Sequence, residues 1–245
     1  METSNAKIPN NRWRTLYIVG AIAPLVALLF YFLEAAVVLS GKSYPRAVED
    51  WMALFGRNPF LGLLYLNAPD ILSIAFLGVM FLALYVALKQ FNESAMAIAA
   101  FFSFTGIVVF LIPRVALLSV YPLSAQYAAA TTDAQRFQIL AAARALSSLG
   151  QATPLTAGFF FLAIAVVILS IVMLRSPRFG RATGIAGILT GLFTMAIDLS
   201  TLLAPALANA LLPIIGVFWI LWWIMISRGL FQLARLENMA NSKKP

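Results

Sequence analysis

Six apolar stretches, each about as long as a bilayer's hydrocarbon is thick, leave this chain few choices of fold. They run from about Thr15 to Ser40, Phe60 to Leu88, Ala95 to Val120, Pro154 to Leu174, Ala182 to Leu203 and Leu207 to Ile226. A helix needs about 20 apolar residues to cross the hydrocarbon, and all six reach that length. Of 245 residues, 62% are hydrophobic and only 11% are charged. Ordinary soluble domains carry about 25% charge, so too few polar groups exist here to cover the apolar surface in water. Lipid removes that demand, because it solvates apolar faces directly. The expected fold is an all-α, polytopic transmembrane bundle. One domain spans residues 15–230, between an N-terminal tail of 1–14 and a C-terminal tail of 231–245.

The first stretch is too long for the apolar core of a cleavable signal, about 7–15 residues. It therefore reads as a spanning helix behind a polar, basic tail. Basic residues are retained on the cytoplasmic side of a membrane. Threading the six spans places eleven of the seventeen Lys and Arg on one side, with both termini and the linkers Lys89–Ser94 and Arg175–Arg181. Six lie on the other side: Lys42, Arg46, Arg57, Arg114, Arg136 and Arg144. The eleven-residue side is expected to be cytoplasmic, in the cell membrane. The net charge of +8 then belongs beside anionic lipid, not nucleic acid.

The two long outer connections carry helix signals. In the first, Pro45 suits a helix start and Gly56 a helix end. Between them Val48, Trp51, Met52 and Phe55 follow the i, i+3, i+4, i+7 spacing of one apolar face. In the second, Thr132 and Gln135 form the T-x-x-Q pattern of a capping box, opening a helix toward Gly150. Both are too short and too charged to span. They are expected to lie as interfacial helices capping the outer face. The string Asn67-Ala68-Pro69-Asp70 is turn-like, and a residue before Pro is disfavoured in a helix, so the second span is expected to break there.

Cys and His are absent. That removes the usual zinc, haem and iron–sulfur ligand sets and any Ser-His or Cys-His nucleophile. No cofactor or metal is expected. What remains is oxygen chemistry. Four charges fall inside the apolar stretches, where each is costly and therefore a candidate for function: Glu34, Asp70, Arg114 and Asp198. On the threaded topology all four reach the same, outer depth. Gly184, Gly187, Gly191, Thr194, Asp198 and Thr201 form one small and polar stripe, which should face inward. Tyr31, Asn67, Thr194, Thr201 and Asn209 are expected to surround a shared cluster. Three carboxylates facing one guanidinium leave at least one to stay unpaired, carry a proton or hold a cation.

Three function classes stay open on these residues. One is binding or transport of a small, cationic or lipophilic ligand in an outward-facing pocket. Another is an intramembrane enzyme using paired carboxylates, with oxygen-only ligation of a divalent ion as an option. The third is an accessory subunit whose charges only fix helix positions. Trp219, Trp222 and Trp223 read as an interfacial aromatic belt. Arg175, Arg178 and Arg181 read as a topology-setting turn.

The segments Asn58-Pro59-Phe60-Leu61-Gly62-Leu63-Leu64, Leu82 to Lys89, Met173 to Gly180 and Leu221 to Leu230 resemble a bacterial multi-pass membrane family, domain of unknown function 4386. The resemblance implies a bacterial membrane bundle of six or seven helices. It implies no activity and transfers no functional residues.

Overall fold

The computed structural model describes residues 13–39, 45, 47–66, 68–151 and 154–242. Among them are ten helices: α1 Arg14–Leu39, α2 Val48–Arg57, α3 Pro59–Tyr65, α4 Ala68–Leu88, α5 Glu93–Leu117, α6 Val120–Ala129, α7 Asp133–Gln151, α8 Pro154–Leu174, α9 Arg181–Leu203 and α10 Pro205–Ser242. Six of these, α1, α4, α5, α8, α9 and α10, carry segments long and apolar enough to cross a membrane. The protein is therefore a multi-pass α-helical membrane protein.

The spanning helices pack as a closed ring in chain order: α1 on α4, α4 on α5, α5 on α8, α8 on α9, α9 on α10, and α10 back on α1. Small residues make the tight crossings possible, since helices in lipid associate chiefly by close packing. Gly106 of α5 and Gly158 of α8 show this best. A Cβ on Gly106 would sit 2.7 Å from the Gly158 carbonyl oxygen, so the two backbones touch. The ring closes through Ser227 of α10, whose hydroxyl donates to the Ala21 carbonyl of α1 at 2.8 Å in a buried position.

Local chemistry sets the ends. Asn58 and Asn92 cap α3 and α5, their side-chain oxygens accepting from Leu61 N–H and Ala95 N–H at 3.0 Å. The second apolar stretch does break: α3 ends at Tyr65 and α4 starts at Ala68. The capping box of α7 forms as expected. Gln135 N–H donates to Thr132 Oγ1, and Thr132 N–H donates to Gln135 Oε1, each at 3.3 Å.

The helix expected from Pro45 to Gly56 starts later, at Val48, because Asp50 caps it by accepting from Ala47 N–H at 3.1 Å. It buries Val48, Trp51, Met52 and Phe55. These pack with Tyr65, Leu117, Val120 and Ala143 into a small core of their own, joining α2, α3, α6 and α7 into a cap at one end of the ring. Helix α6 has no counterpart in the sequence reading. Its first turn holds Tyr121-Pro122, and Pro suits a helix start. The last helix also runs on past the expected span end at Ile226, to Ser242.

Candidate functional site

Alternating helix directions bring all four candidate charges to the capped end of the ring. Glu34 lies toward the C-terminal end of α1, Asp70 in the first turn of α4, Arg114 in the last turn of α5 and Asp198 toward the C-terminal end of α9. Equal depth does not make them one cluster, because the ring separates them around its circumference.

Glu34, Asp70 and Arg114 come from three neighbouring spanning helices, α1, α4 and α5, and meet. Arg114 Nη2 pairs with Asp70 Oδ2 at 3.3 Å, and the two side chains keep 15% and 27% of their surface exposed. Asp70 owes its place to the chain break before α4, which puts its carboxylate at the positive end of a helix dipole. Arg114 stacks over Phe110, 5.3 Å from the ring centre. The Glu34 carboxyl lies beside Asp70 and within the field of Arg114. Glu34 Oε1 and Arg114 Nε are buried without a hydrogen-bond partner. Two carboxyls thus share one guanidinium, with one acceptor and one donor left over.

Asp198 stands apart from these three. It is buried on α9, which packs on α8 and α10, not on the helices that carry the other charges. Among the described residues no ion pair reaches it, and its Oδ2 has no partner. The expected inward face of α9 is present: Thr183, Gly184, Gly187, Thr190, Gly191, Thr194 and Asp198 are buried. Equal depth was legible in the sequence; lateral position around the ring was not.

The surrounding residues divide similarly. Thr194 donates to the Thr190 carbonyl at 2.8 Å and accepts from Trp219 Nε1 at 3.0 Å. Thr201 is exposed and bonds back to the Ile197 carbonyl. The Tyr31 hydroxyl lies against Gly216 of α10, 3.0 Å from where a Cβ would stand. Asn67 and the side chain of Asn209 lie outside the described residues. No group of three carboxylates gathers among the described residues.

Two features escaped the sequence reading. Trp222 is 0% exposed and packs inside the bundle, while Trp219 is tied to Thr194, so these two are not a membrane-surface belt. Ile215, Trp219, Trp222 and Ile226 recur at steps of four, three and four, a one-face signal that would have shown this. Arg178 is also more than a topology marker. Its Nη1 donates to the Ala87 carbonyl at the end of α4 at 3.2 Å, satisfying a helix C-terminus.

The family model described as domain of unknown function (DUF4386) matches residues 15–227. The chain belongs to this family. The DUF4386 match starts in α1 and ends within α10, so it takes in all six spanning helices and every candidate charge. No curated protein and no solved structure matches the chain. Function is therefore argued from the site alone.

Proposed function

We propose that this protein binds a small cationic ligand, in the simplest case a proton, at Glu34, Asp70 and Arg114, as part of small-ligand binding or transport at the capped end of the bundle. The observation that carries this reading is the contact of two carboxyls facing a single guanidinium. When both are ionised the group holds one negative charge in excess. In a low-dielectric site such an excess is costly unless a proton or cation joins it. The partnerless Glu34 Oε1 supplies a place for that partner. Residual exposure of Asp70 and Arg114 supplies a way in. Asp198, with Thr194 and Thr201 on its helix, enters as a second and separate carboxylate at the same end. Tyr31, on α1 with Glu34, reaches toward α10, and Asn67 and Asn209 complete the proposed surroundings.

The test is thermal unfolding of the purified protein from pH 5 to pH 9, with and without ethylammonium or sodium. Glu34→Gln removes the excess charge, so it should unfold no lower than wild type and lose any stabilisation by the added cation. Arg114→Gln should unfold lower. If Glu34→Gln and Arg114→Gln lose stability equally and no cation shifts the wild type, the three residues are a packing network and the binding reading fails.

A further inference from the structure

The opposite end of the bundle holds a second polar feature with the reverse charge. Arg178, Gly180 and Thr183, around the start of α9, face Arg228, Gly229 and Gln232 of α10 across a cleft of about 190 Å³. The sequence explains its shape. Arg228 and Gln232 lie one turn apart on α10, so they share a face. Gly229 between them has no side chain, and the Phe179 ring fills that space: a Cβ there would lie 2.6 Å from the ring. Phe179 is consequently buried, and the chain on either side of it is held against α10.

The cleft's chemistry is that of an anion host. Two guanidiniums line it, and among the described residues no salt bridge engages Arg228. Arg178 is held in place by the Ala87 carbonyl and the Phe91 ring, beside Tyr17. Its nearby counter-charge, Glu237, is shared with Arg14. Gly180, the N-cap of α9, offers no side-chain cap, and no acidic residue occupies that helix's first turn. No carboxylate of α9 therefore competes for the two guanidiniums, whose planar donor sets suit a phosphate's geometry. Pockets for drug-sized molecules run to about 300–1,000 Å³, so this cleft suits a single charged group.

We infer that the cleft between the start of α9 and Arg228 of α10 binds a phosphate-bearing anion, either a phospholipid headgroup or a soluble phosphate. The two sources share the same guanidinium chemistry and differ in whether an acyl anchor is needed.

Both are tested on the full-length protein in uncharged detergent at constant ionic strength. Thermal unfolding is followed against added phosphatidylglycerol, phosphatidylcholine or inorganic phosphate. Phosphatidylglycerol alone raising the melting temperature identifies a lipid site, and inorganic phosphate raising it as well identifies a soluble one. Arg228→Gln, on an exposed side chain, should weaken the responsive anion about tenfold or more while melting like wild type without it. Arg235→Gln, a basic residue of the same helix outside the cleft, should leave the response unchanged. No shift with any of the three, or an equal loss in Arg228→Gln and Arg235→Gln, overturns the assignment. Neither outcome bears on Glu34 and Asp70 at the other end.

Discussion

Arg114 pairs with the Asp70 carboxylate, lies over the Phe110 ring and acts on Glu34 through its field, so its charge has three neighbours to lose. Removing it leaves Asp70 and Glu34 facing each other across a site with little water to screen them. Breaking a fully buried pair from one side costs about 3–5 kcal/mol. The partial exposure of both side chains reduces that, and Arg114→Gln is expected to cost about 2–3 kcal/mol. Adding Asp70→Asn to it should recover part of the loss, which a double-mutant cycle of melting temperatures measures. Glu49 offers a milder test outside the membrane-spanning segments. Its own backbone N–H and then Arg144 of α7 hold its carboxyl below the ordinary value of 4.5. A carboxyl lowered on folding stabilises fully above its unfolded value and loses that contribution as pH falls through the folded one. Protection of the α2 amides, corrected for intrinsic exchange, should therefore decline as pH drops below 4.5. Glu49→Gln should flatten that dependence.

At the scale of elements, the two kinds of helix here depend on different things. Helix α7 carries many polar residues and relies on its start signal. Losing the Thr132 hydroxyl should cost about 1 kcal/mol, seen as faster amide exchange in its first turn for Thr132→Ala. The spanning helices rely on close approach instead. Gly106→Ala must displace backbone of α8, since the new Cβ would lie 2.7 Å from the Gly158 carbonyl and 2.9 Å from Leu162 N. A cost of about 1–3 kcal/mol follows, read as a lower melting temperature with no change in helix content. Legibility follows the same division. The capping box of Thr132, the apolar face of α2 and the break before α4 were readable, because each is set by neighbours in sequence. Which of Glu34, Asp70, Arg114 and Asp198 would meet was not. Residue number gives a charge its depth in a bundle, whereas the order of helices around the ring gives it its partners. The anchoring of Arg178 to Ala87 is hidden for that reason too, whereas the inward turn of Trp222 was written in its own helix's spacing.

For the whole molecule, ring closure and charge asymmetry give one arrangement with two chemically distinct ends. The capped end holds the intramembrane carboxylates and the α2, α3, α6 and α7 cover. The other end carries the Arg175–Arg181 turn, the Lys89 turn and the basic continuation of α10. A membrane potential and anionic cytoplasmic lipid both favour the basic end inside, which would open the Glu34–Asp70–Arg114 site outward and set the Arg178–Arg228 cleft against the inner leaflet. The chain has no Cys, so single cysteines report position without background. Ala134→Cys on α7 and Ser94→Cys at the start of α5 are both exposed and lie at opposite ends. An impermeant maleimide should label Ala134→Cys in intact cells and Ser94→Cys only after permeabilisation. The reverse pattern would turn the cation site toward the cytoplasm. A transporter could still use it from that side, but the excess of basic residues would then face outward, and the orientation argued from Lys and Arg would be wrong.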